Sequence, residues 1–83
     1  MNNQTDNLQL TDIKVSSYLL SKGIILVSVL KNNPRKVIFC FPNSALVKKL
    51  LKDYWSDQTK VSPKSLFDNL DHLKNLIHQS YEI

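Results

Sequence analysis

Two neighbouring runs, Ile24 to Lys31 and Arg35 to Phe41, constrain this chain more than any other feature. Both are rich in β-branched, aliphatic and aromatic residues, which suit a pleated surface. Asn32-Asn33-Pro34 stands between them as a strong turn signal, so the two runs read as a β-hairpin. In the second run Val37, Phe39 and Phe41 point one way, and Ile38 and Cys40 the other. In the first, Ile25, Val27 and Val29 oppose Ile24, Leu26, Ser28 and Leu30. Neither face is polar, and strands apolar on both faces read as covered on both sides. An isolated hairpin is marginal in water, and its outer edges are open hydrogen-bonding templates. The faces and edges must therefore be covered by helices, by a second copy of the chain or by a partner, and self-association is expected.

The flanking segments supply helices. Thr11 to Gly23 fits two patterns. As a strand, Ile13, Val15, Ser17 and Leu19 alternate with Lys14, Ser16 and Tyr18. As a helix, Thr11 or Asp12 is the N-cap, Val15, Tyr18, Leu19 and Lys22 share a face, and Gly23 closes it. The Asp cap and the Lys-Gly ending favour the helix. Pro42-Asn43 opens a second helix, capped by Asn43 or Ser44. Val47, Leu50, Leu51, Tyr54 and Trp55 form its apolar stripe, and Lys48, Lys49 and Lys52 its other face. Ser62 caps a third helix with Pro63 in its first position. There Leu66, Leu70, Leu73 and Ile77 line the core face, with Phe67, Leu76 and Tyr81 at the flanks. Residues 1–10 are polar apart from Leu8 and Leu10 and read as a flexible tail. The expected fold is a small single α+β domain over residues 11–83, a β-hairpin packed by helices in the order α-β-β-α-α.

Charge is unevenly spread along the 83 residues. Residues 1–12 carry only two Asp. Residues 13–60 carry eight Lys and one Arg against two Asp, a net +7, and residues 61–83 carry two Lys against three acids. A basic face collects phosphates or acidic partners. Lys31, Arg35 and Lys36 flank the hairpin turn, and Lys48, Lys49 and Lys52 ride the middle helix, so these six are the candidate nucleic-acid-binding residues. Solubility charges on a helix face, with lysines guarding a strand edge, are the plainer reading of the same residues. Ten of the eleven bases are Lys, which argues against tight base-specific recognition by Arg. Tyr54 and Trp55 form either part of the core or a stacking platform for single strands, and core is the commoner use.

Chemistry has few places to reside. Gly23 is the only glycine, so there is no phosphate loop. Cys40 is the only cysteine, which excludes an internal disulfide and a thiolate metal site, and it reads as a small buried hydrophobe. His72 and His78 lie on opposite flanks of the last apolar stripe, too far round the helix to share a metal. Asp68 and His72 read as a solvated pair one turn apart. No enzyme activity, cofactor or metal is expected. No apolar run approaches the roughly 18 residues of a membrane span, and no secretion signal opens the chain, so a cytoplasmic location is expected.

The strings Tyr18-Leu19-Leu20-Ser21-Lys22-Gly23-Ile24, Arg35-Lys36-Val37-Ile38-Phe39-Cys40-Phe41, Leu51-Lys52-Asp53-Tyr54-Trp55 and Leu73-Lys74-Asn75 resemble a family of small uncharacterised domains from bacteria, archaea and their viruses. Its members show a Lys-Gly-Ile step, a Val-x-Phe-x-Phe strand and a Tyr-Trp pair followed by Asn-Gly. Here Ser56-Asp57 stands in place of Asn-Gly. The likeness covers residues 13 to 78 and implies a phage or mobile-element setting without assigning a function. The order strand 37–41, helix 43–56, helix 63–80 is similar to ribbon-helix-helix repressors. Those read bases with polar outward strand residues, where this chain has Ile38 and Cys40. The expected function is a non-enzymatic binding module that contacts the nucleic-acid backbone through a Lys-rich ridge. The alternative is an adaptor or inhibitor that binds a host protein through its apolar hairpin or an open strand edge.

Overall fold

A computed structural model describes residues 7–33 and 36–80. Its elements are β1 (Asn7–Leu10), α1 (Ile13–Ser21), β2 (Ser28–Asn33), β3 (Lys36–Pro42), α2 (Ala45–Trp55) and α3 (Pro63–Ser80). The fold is α+β, and its order is β-α-β-β-α-α. The additional leading strand lies where a flexible tail was expected. Leu8 pairs with Phe41 and Leu10 with Phe39, so β1 runs antiparallel along one side of β3. Only its two leucines alternate into the apolar layer, a period-2 signal too short to stand out in a polar stretch. β2 pairs with the other side of β3, giving the order β1-β3-β2. Pro34 of the expected turn and Arg35 of the expected second strand lie outside the described residues.

The helix reading of residues 13–21 holds for reasons visible at both ends. Asp12 accepts hydrogen bonds from the N–H groups of Lys14 (2.8 Å) and Val15 (3.3 Å). At the other end Gly23 takes φ +89°, its N–H donates to the Leu20 carbonyl, and that of Ile24 donates to Leu19. These two bonds form a Schellman cap, which turns the chain out of the helix and leaves Ile24 packed against the core. Val15, Ser16, Ser17, Tyr18 and Leu19 are all buried, so the middle of α1 is enclosed, with α3, α2 and β1 among its neighbours. The Ser16 and Ser17 hydroxyls satisfy themselves by donating to the carbonyls of Asp12 and Ile13. Their small volume suits close packing of the helix.

Tyr18, Leu19, Phe39, Phe41, Val47 and Leu73 form the centre of the core, ringed by half-buried Leu8, Leu10, Val29 and Val37 from the sheet and by residues of all three helices. The helices thus cover one sheet face. Leu30, Ile38 and Cys40 alternate to the other face, where no described helix packs. Cys40 is nevertheless only 3% exposed, set between its register partners Gln9 and Ser28 in the central strand.

The expected first strand over Ile24 to Lys31 is shorter and later in the structure, Ser28–Asn33. Ile24 is held by the helix cap. Ser28 is the register partner of Cys40, yet Val27 also donates its N–H to the Cys40 carbonyl at 2.8 Å. Two residues therefore meet one partner, as in a β-bulge, and the inside–outside phase slips by one. Ile24 and Leu26 face the core before the slip and Val29 after it. Ile25 (75% exposed) and Val27 (49%) are left in solvent. A second register shift falls between Leu30 and Asn33. The sequence expectation of strict alternation along this run fails at these two points.

Candidate functional site

Helix α2 begins at Ser44, whose hydroxyl accepts the Val47 N–H at 3.1 Å. From there the periodicity sorts the side chains. Val47 is buried, and Leu50, Leu51 and Tyr54 pack half-buried against the core. Lys48, Lys49 and Lys52 stand exposed on the opposite side. Lys52 lies in the last turn, where a cation meets the negative end of the helix dipole. Lys49 donates to the Asp53 carboxylate at 3.0 Å. Lys48 and Lys52 make no ion pair among the described residues.

Trp55 is 70% exposed. It follows Lys52 by three residues and Lys48 by seven, so the three share a strip of the helix surface. Its indole meets the Tyr54 ring edge-on at 5.1 Å between centroids, and Tyr54 meets the buried Tyr18 ring at 5.2 Å. The commoner use of such a pair, both in the core, applies to Tyr54 alone. Trp55 sits beyond the edge of the buried stripe because the helix has turned about 100° from Tyr54 to Trp55.

Of the six expected cationic residues, five are described and they lie on three elements. Lys48, Lys49 and Lys52 share a face of α2. Lys31 reaches from β2 to the Leu76 carbonyl of α3 at 3.4 Å. Lys36 is exposed at the start of β3, and Arg35 lies outside the described residues.

Next to Tyr54 is a feature the sequence reading missed, a cleft of about 190 Å³ lined by Lys14, Ser17, Tyr54, Leu66, Phe67 and Leu70. It opens between α1, α2 and α3. Its one signal in sequence is Phe67, at the flank of the apolar stripe of α3 and 59% exposed at the cleft. Residues from three helices separated in the chain build the rest, so no local pattern marks it.

Asp68, His72 and His78 are surface residues. Asp68 pairs with Lys64 at 2.7 Å, and its carboxylate raises the Lys64 ammonium above its ordinary pKa. Asp68 thus turns one helical turn toward Lys64, not toward His72. No group of three or more potential metal ligands gathers among the described residues. Nor is any described helix long and apolar enough to cross a membrane.

A three-stranded antiparallel sheet with helices on one face and a basic, aromatic-tipped second helix defines a small α+β domain. The chain matches the model of a family described as a domain of unknown function (DUF5659) over residues 5–79, and it belongs to that family. No curated protein and no solved structure matches it.

Proposed function

We propose that this chain is a small non-enzymatic binding module of phage or mobile-element type that contacts the nucleic-acid backbone through α2. The observation that carries this is the exposure of Trp55 on the same helix strip as Lys48 and Lys52, which have no acidic partner among the described residues. A solvated solubility face has no use for an exposed indole, whereas lysine charge beside an aromatic ring is the pattern that holds phosphates and stacks bases. Lys49 joins these residues once its exposed Asp53 pair exchanges for phosphate, at small cost because surface pairs contribute little. Lys31 and Lys36 extend the positive field, and Arg35 belongs to the same proposal. The setting is cytoplasmic.

The test is fluorescence anisotropy of labelled DNA and RNA at about 50 and 200 mM salt, where each phosphate contact on duplex DNA adds a slope near −0.9. Binding is expected to weaken steeply with salt and to vanish when Lys48, Lys49 and Lys52 are all replaced by Glu. Absence of binding at the lower salt would sink the proposal.

The adaptor reading retains one supporting observation, the exposed Ile25 and Val27 in the segment leading into β2. Its strand-addition form has less support. β2 carries two register irregularities and β1 has four residues, and bulged or short edges resist added strands.

A further inference from the structure

Resting on that reading, we infer that the preferred ligand is single-stranded nucleic acid, with one unstacked base seated in the cleft between α1, α2 and α3. An apolar protein cavity of about 150 Å³ holds benzene, so the cleft of about 190 Å³ takes one pyrimidine-sized ring. It falls short of the roughly 300 Å³ at which sites for larger organic ligands begin. Leu66, Phe67 and Leu70 supply apolar and aromatic walls, and Tyr54 connects the cleft to Trp55 through its edge-on contact. Trp55 and Phe67 are both exposed, the first in edge-on contact with half-buried Tyr54 and the second lining the cleft with it. Trp55 offers a stacking face to a neighbouring base.

Charge selects this occupant over an apolar side chain of a protein. Lys14, exposed at the cleft, makes no ion pair among the described residues, and Lys48 and Lys52 share the helix strip of Trp55 on α2. A base entering the cleft brings its phosphates toward cations, and a paired duplex has no free base to insert. The walls grip the base by its faces more than by its hydrogen-bonding edge, so sequence preference is weak.

Trp55 is the only tryptophan, so its emission reports on the surface directly. The probes are an oligothymidylate of about 12 nucleotides, within the span of known single-strand sites, and a duplex of the same length, both at low salt. The single strand is expected to quench Trp55 and to bind about tenfold or more tighter than the duplex, as stacking of one or two bases supplies. Phe67→Ala, at an exposed position, is expected to weaken the single strand about fivefold or more and leave the duplex unchanged. Thermal unfolding of the variant confirms that it is folded. Equal binding of strand and duplex, or indifference to Phe67→Ala, overturns the base-in-cleft inference while leaving the backbone reading intact. No binding of either probe overturns both.

Discussion

At the scale of single residues, the two helix ends make a matched pair. Gly23 and Asp57 occupy the same position after α1 and α2, each with positive φ, +89° and 59°. After α2 the Asp57 N–H donates to the Tyr54 carbonyl and the Gln58 N–H to Asp53, again a Schellman cap. A left-handed conformation costs an L-residue with a Cβ roughly 1–2 kcal/mol, less for Asp and Asn. Asp57→Gly is therefore expected to stabilise the fold by up to about 1 kcal/mol and to raise the thermal midpoint by a few degrees. A lowered midpoint in a thermal melt would show that the Asp57 side chain has a structural role beyond its backbone conformation. Gly23→Ala should do the reverse. Open space surrounds the added Cβ, so only backbone strain of about 1 kcal/mol opposes it. Tyr18 is a second residue of interest, because its hydroxyl is buried without a hydrogen-bond partner among the described residues. Removing such a group relieves a desolvation cost, so Tyr18→Phe is expected to leave stability unchanged or raise it by about 1 kcal/mol in urea titration. A loss beyond 1 kcal/mol would mean that the hydroxyl has a partner.

Among the elements, β1 is the one whose role differs most from expectation. It closes one side of β3, makes that strand central and half-buries Leu8 and Leu10. Burying a large aliphatic side chain contributes about 1.5–3 kcal/mol, and somewhat less when half-buried. Removal of residues 1–10 is thus expected to lower stability by roughly 2–4 kcal/mol, a large part of what a domain of this size has. Its urea midpoint should fall accordingly, whereas an unchanged midpoint would restore the tail reading. The three helices were legible because each announces itself locally. Asp12, Ser44 and Ser62 start them, and the Ser62 hydroxyl accepts the Ser65 N–H at 3.3 Å, as a cap should. β2 was only partly legible. Its bulge at Val27 and Ser28 depends on how Cys40 of another strand presents its carbonyl, which no alternation rule within residues 24–31 contains.

For the molecule as a whole, the main asymmetry is a sheet with helices on one side and an open face on the other. Ile25 and Val27, in the segment leading into β2, are exposed apolar residues that self-association would bury. We expect Ile25→Ser with Val27→Ser to reduce self-association in sedimentation without unfolding the chain. A wild-type protein that sediments as a monomer throughout the micromolar range would remove the basis for this expectation. Apolar periodicity and caps were enough to establish a helical layer on a hairpin, because a helix and its cap are built from neighbours in the chain. They also marked Lys48, Lys49 and Lys52 as one face. They did not reveal that Trp55 stays in solvent or that a cleft forms at Phe67. Each of these depends on how far one element's apolar stripe is covered by another, and coverage is a relation between distant segments that no single segment encodes.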